Sequence, residues 1–133
     1  MTAMPWTIRM VPAPGPDPGD TPWKDLRPGD MWFAPYLLEH PEGHPFRPAL
    51  KYFQRNSGRP PLVVALPCVG GGRVDWCVDG PCWKDGKVYG DGWDVSGEPP
   101  LITVAPSINI IGAYHGFIQN GVITDDCEGR RAG

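Results

Sequence analysis

Four cysteines and three histidines are the side chains of this 133-residue chain best suited to metal or nucleophilic chemistry. Cys68, Cys77 and Cys82 are separated by eight and four intervening residues, and Cys127 lies far downstream. None forms the tight Cys-x-x-Cys hook of a structural zinc site. A strand-to-strand site built from Cys77, Cys82, Cys127 and His115 is one reading, and disulfide pairing is another. In a reducing cytoplasm the simplest expectation is four reduced thiols packed as small hydrophobes, with no metal and no cofactor.

The run Glu39-His40-Pro41-Glu42-Gly43-His44 gathers two carboxylates and two imidazoles within six residues. A histidine pair at this spacing binds metal when a helix presents both on one face. Pro41 and Gly43 oppose that helix, so a polar loop is expected. Gly70-Gly71-Gly72 follows an apolar run, but Arg73-Val74-Asp75-Trp76 after it reads as a strand. A phosphate loop needs a helix N-terminus there, so a hairpin turn is expected instead. His115, between Tyr114 and Gly116, reads as a hydrogen-bonded structural histidine. Asp125, Asp126 and Glu128 collect carboxylates without the spaced oxygen ligands of a calcium loop, and with Arg130 and Arg131 they read as a solvated charge cluster. No Gly-x-Ser-x-Gly elbow is present. Nothing nominates a base, a nucleophile and an orienting group together, so a non-enzymatic role is expected.

The elements that would position these residues are short. Pro61-Leu-Val-Val-Ala-Leu-Pro67 is an apolar run bounded by prolines, the pattern of a strand buried on both faces. Arg73–Val78 should pair with it. Further strands are expected at 31–34, 92–96, 101–105, 108–111, 114–118 and 122–124. Asn120-Gly121 should form a type I′ hairpin turn, which needs positive φ at both central positions. Lys84-Asp85-Gly86-Lys87 reads as another turn. Residues 35–48 carry four prolines and should be irregular, and 49–55 is the one credible helix. Trp32, Trp76 and Trp93 are expected to fill the core, while Trp83 has no clear place.

Gly and Pro number 18 each, 36 of 133 residues. That share disfavours a helical bundle or coiled coil, and the lack of a three-residue repeat excludes collagen. The fold class expected is all-β, or β-rich with one short helix: a small antiparallel barrel or sandwich with an extended proline-rich N-terminal arm. The division expected is an arm over 1–28, proline-rich at 12–20, and a single β domain over 29–133. Trp6 to Met10 alternates and should form one short strand. Pro12, Pro14, Pro16 and Pro18 should hold the arm in polyproline II. With Trp6 and Trp23 at either side as aromatic anchors, these prolines are the expected partner interface. Removing residues 1–22 should then leave a folded domain.

Lys and Arg total 12 against 15 Asp and Glu, a net charge of −3. The one adjacent basic pair is Arg130-Arg131, so no nucleic-acid partner is expected. The opening MTAMPWTIRM has no apolar core of a secretory signal, and no run is long enough for a membrane helix.

Gly92-Trp93, Pro106-Ser107-Ile108, Tyr114-His115-Gly116-Phe117-Ile118 and Gly121-Val122-Ile123, followed by Asp125-Asp126 and Glu128-Gly129-Arg130, resemble a small phage and prophage family. Its members share a tryptophan, a Pro-Ser-Ile/Leu step and a His-x-Phe/Trp-Ile/Leu-x-x-Gly-x-Ile/Val strand pair. The resemblance covers about residues 61–131, with support at Gly29-Asp30-Met31-Trp32-Phe33. Members are often mislabelled ammonia monooxygenases, although no copper or iron ligand set is visible here. Many carry Cys where this chain has Tyr114. The resemblance implies a bacteriophage or prophage origin and no particular chemistry.

The function expected is a non-enzymatic virion structural protein, made in the bacterial cytoplasm and located in the virion. It would be a capsid decoration or cement protein, held in multiple copies against the major capsid protein or other virion subunits. The alternative is an intracellular phage accessory protein that binds a host factor or zinc. A more distant one is a tail or glycan-binding module using exposed aromatics.

Overall fold

A computed structural model describes residues 6–55, 58–68, 70–84, 87–89, 91–110 and 114–125. Two sheets face each other across one core. The first has five antiparallel strands in the order β1 (Trp6–Thr7), β11 (Val122–Asp125), β10 (Tyr114–Gln119), β9 (Thr103–Ile110) and β8 (Asp94–Ser96). The second has the order β2 (Arg9–Met10), β3 (Asp30–Phe33), β4 (Leu62–Pro67) and β5 (Arg73–Cys77). Its β2–β3 pair is parallel and the others antiparallel. Separately, β6 (Cys82–Lys84) pairs antiparallel with β7 (Lys87–Tyr89), and Asp85-Gly86 of the turn expected between them lie outside the described residues. The strand orders do not close on themselves, so of barrel and sandwich the molecule takes the sandwich. One short helix, α1 (Leu50–Gln54), and 3₁₀ turns at Trp23–Asp25 and Pro35–Glu39 complete it.

The continuous apolar run of β4 has a direct cause. Leu62, Val64 and Leu66 face the inter-sheet core beside Ile108, Tyr114, Ile118 and Ile123. Val63 and Ala65, on the other face, pack against Leu26, Trp32, Ala34 and Leu37. A strand covered on both faces has no position where a polar residue is favoured. Trp32 fills this second cluster as expected. Trp76 and Trp93 are half-buried and meet edge to face, with centroids 5.1 Å apart. Trp93 lies just before β8 rather than within a strand, and the side chain of Trp83 lies outside the description.

The Asn120-Gly121 turn is as expected, with φ of 49° and 77° and Gln119 opposite Val122. Two expectations change. The strands foreseen at 101–105 and 108–111 are one strand, β9. Its register against β10 jumps from Gly116↔Ile108 to Ile118↔Val104, a bulge spanning Ala105 to Ser107. Pro106, which can donate no ladder hydrogen bond, is accommodated there.

The second change concerns the N-terminal segment. The single strand foreseen over Trp6–Met10 is two. Thr7 pairs with Val122 in one sheet, Arg9 with Asp30 in the other, and Ile8 crosses between them at 3% exposure. Residues 6–11 are therefore sewn into the sandwich, and removing residues 1–22 would strip an edge strand from each sheet. The proline-rich stretch is a closed loop rather than an extended arm. The Gly15 amide donates to the Thr21 carbonyl (3.2 Å), the Thr21 amide to Ala13 (3.2 Å) and the Thr21 hydroxyl to Pro12 (2.6 Å). The Asp20 carboxylate accepts the Asp17 amide at 3.0 Å. Gly19, at φ 91°, makes the reversal that a proline could not.

Candidate functional site

Residues 35–54 form a face in which the backbone is held from within and the apolar side chains point outward. The Ala34 amide donates to Pro61 at 2.7 Å, Leu37 is buried, and the Trp32 indole N–H donates to the Tyr36 hydroxyl at 3.2 Å. Tyr52, in α1, is buried and donates its hydroxyl to the Arg59 carbonyl at 2.7 Å. Burial, and then the negative charge of Asp79, hold this phenol above its ordinary pKa, so it stays a donor. Against these inward anchors, Tyr36, Leu38, Phe46, Leu50 and Phe53 are exposed, Phe46 and Leu50 by 57% and 58%.

Arg47 organises this face. Its Nη1 donates to the carbonyls of Leu38 (3.1 Å) and His40 (2.8 Å), and its Cζ lies 5.0 Å from the centre of the Phe53 ring. One side chain thus ties the 3₁₀ turn, the 40–46 loop and α1 together. His40 and His44 stack with centroids 4.1 Å apart and planes 11° apart, and Phe46 packs against both. The Phe46 amide donates to His44 Nδ1 at 3.1 Å. A turn, not a helix, brings the two imidazoles together. Nearly parallel rings a van der Waals thickness apart share no point at bonding distance in both planes, so this pair is arranged for stacking and not for joint ligation of one ion. Beside it lies an open depression of about 370 Å³, lined by His44, Arg47, Pro48, Leu50, Phe53 and Pro81.

The platform beneath is an ionic clamp that the sequence reading missed. The Asp79 side chain is fully buried. Its Oδ1 accepts from Arg55 Nη2 (2.7 Å) and Arg59 Nη2 (2.8 Å), and its Oδ2 from Arg59 Nη1 (2.9 Å) and the Leu62 amide (3.0 Å). The Asp79 carbonyl accepts the Ala49 amide at 2.8 Å, at the start of α1. Lys51 reaches Asp94 at 2.6 Å. Asp79 lies 24 and 20 positions from its arginines. No local spacing announces that contact, and an aspartate directly after a strand was its one available signal.

The residues singled out by type are dispersed. Cys68, Cys77 and Cys82 are free thiols, and Cys127 lies outside the described residues. Burial, with the Asp79 charge second, pushes Cys77 up to about 12, which leaves it protonated and inert at neutral pH. Cys82 is exposed, its pKa raised by partial burial and then by Asp91. Among the described residues no three His, Cys, Asp or Glu side chains converge as a metal site. His115 is half-buried on the opposite strand face from Tyr114 and Gly116. Tyr114 occupies the core and donates its hydroxyl to the Thr124 carbonyl. The Gly70–72 segment is a turn with positive φ throughout. Asp126, Glu128, Arg130 and Arg131 lie outside the described residues, as does the Asp125 side chain.

Of the expected interface residues, Pro12, Pro16, Pro18 and Trp23 are exposed, Trp23 by 54%. Pro14 is half-buried, and Trp6 packs against the inter-sheet core. No described helix is long and apolar enough to cross a membrane. No protein-family model matches this chain, and neither does any curated protein or solved structure.

Proposed function

We propose that this chain is a non-enzymatic binding module of a bacteriophage particle, a β sandwich that decorates or cements the capsid by docking its 35–54 face on the major capsid protein. The observation that carries the reading is that face itself. Five large apolar side chains are held outward on a backbone pinned by Arg47, Tyr52 and the Asp79 clamp. Clustered exposed apolar surface with a polar rim marks protein–protein contact, and aromatic anchors dominate such contacts. A pre-formed face loses little entropy on docking. The buried ionisable groups support the same reading, because Asp79 and Asp30 are consumed by arginines and backbone amides. The phage setting rests on the resemblance carried by Pro106-Ser107-Ile108 and Tyr114 to Ile123. Copies on a symmetric shell would multiply modest contacts through effective concentration.

Quantitative peptide mass spectrometry on gradient-purified particles tests this reading. A simple stoichiometric ratio to the major shell protein is expected, and absence from particles would overturn it in favour of an intracellular accessory role. Phe46→Ser with Leu50→Ser should leave folding intact, since these are the two most exposed side chains of the face, and should abolish attachment. Full attachment by that variant would refute the assignment of this face.

A further inference from the structure

Residues 6–11 join the sandwich in an unusual way: they are the edge strand of both sheets at once. β1 ends the five-stranded order and β2 ends the four-stranded one. The segment can therefore leave without breaking any other strand pair. Yet the site it fills cannot stand empty. Ile8 is core, with Trp6 and Met10 packed around it. Its amide donates to Gly121 at 2.8 Å, and the Val11 amide donates to Met31 at 2.8 Å. Arg9 Nε donates to Asp30 Oδ1 at 2.7 Å, and the Asp30 side chain is 2% exposed. Without an arginine there, a buried carboxylate would keep only the Arg27 amide at 2.9 Å among its described partners.

The connection to the rest of the chain is the proline-rich loop. It is held shut by the hydrogen bonds of Gly15, Asp17 and Thr21 and by half-buried Ala13, packed against the cluster around Trp32, while Pro12, Pro14, Pro16 and Pro18 each favour extended backbone. Opened as polyproline II, its ten residues, 12–21, would span on the order of 31 Å, enough to carry the segment into an adjacent molecule.

We infer that residues 6–11 exchange between copies of this chain: the segment of one molecule completes both sheets of its neighbour, with residues 12–21 as the hinge. The exchanged and closed forms make the same strand contacts, so their balance is set by hinge strain against the cost of association. Crowding on a shell would favour exchange, but the inference does not need the virion assignment.

The test uses the isolated full chain with Cys68, Cys82 and Cys127 changed to Ser. Thr7→Cys and Val122→Cys are added, a pair directly opposite in β1 and β11, where opposed Cα atoms fall in the range a disulfide spans. After oxidation, non-reducing gels read which molecule supplied the strand. Disulfide-linked dimers are expected, with a fraction that rises roughly in proportion to protein concentration in the dilute regime. Pro16→Gly with Pro18→Gly should lower that fraction by relaxing the hinge. Intramolecular cross-links alone at every concentration would overturn the inference, as would a dimer in solution whose cross-links are all intramolecular.

Discussion

Replacing Asp79 by Asn tests whether the clamp positions the 35–54 face. The carboxylate accepts four hydrogen bonds, three from the guanidiniums and one from the Leu62 amide. An Asn side chain keeps the shape but turns its NH₂ toward groups that can only donate, and it removes the charge that balances two arginines. Breaking a buried pair costs about 3–5 kcal/mol. The Arg55 and Arg59 side chains are 26% and 19% exposed, so water screens the orphaned charges and the lower end, about 3 kcal/mol, is expected. Against the roughly 5–15 kcal/mol of a folded domain this is a large share. With a urea slope of about 1.5 kcal/mol per molar, the midpoint should fall by about 2 M. Tryptophan fluorescence during urea unfolding measures the midpoint, and amide exchange at Ala49 and Leu62 reports local loosening. Arg59→Met should cost less, because Arg55 still holds the carboxylate. In the Asp79→Asn background it should recover part of the loss by removing an unpaired cation. A midpoint shift under about 0.3 M, or Arg59→Met effects that are the same in both backgrounds, would refute the reasoning.

Three further outcomes follow from local packing and burial. Gly116→Ala would drive a methyl into the Tyr114 ring and the Thr124 carbonyl. A loss of about 3 kcal/mol is expected; Tyr114→Phe should not rescue it, because the backbone contact remains, and full rescue in urea titrations would contradict this packing. Cys77 should resist alkylation in the native protein while Cys82 reacts, as read by peptide mass spectrometry. Because the folded Cys77 pKa is raised from 9.0 to about 12, the stability it contributes is complete below the ordinary thiol value. That contribution should drain away as pH rises from there toward 12. Urea midpoints at rising alkaline pH should therefore fall more steeply for the native chain than for Cys77→Ala.

Elements whose cause is local were legible in the residues. Asn120-Gly121 dictates a hairpin because both positions must take positive φ, and it does so regardless of what packs around it. The Pro61–Pro67 run could only be a strand covered on both faces, since no position in it tolerates water. The short helix, the glycine turn at 70–72 and the β-rich class follow from similar short-range rules, while the choice of sandwich over barrel came from the sheet orders. The chain's chemistry was less readable. His40 and His44 looked like a failed helical pair because spacing carries meaning only within regular structure, and the turn that stacks them is set by Arg47 reaching two carbonyls.

What the residues determine on their own is where the chain must turn, where it must be extended and which runs must be dry. Tertiary structure decided what those runs touch. Ile8 divides one expected strand between two sheets because both edges needed covering, a fact that lies in the sheets and not in Trp6–Met10. The proline-rich stretch closed into a loop because Thr21 and Asp20 offered it hydrogen bonds once Trp6–Val11 was anchored. Asp79 found Arg55 and Arg59 across 24 and 20 residues, a pairing that stabilises only after folding has removed water from the carboxylate. Short-range sterics are encoded residue by residue, whereas burial belongs to the assembled molecule, and the burial of Asp79 is what holds the exposed face in place.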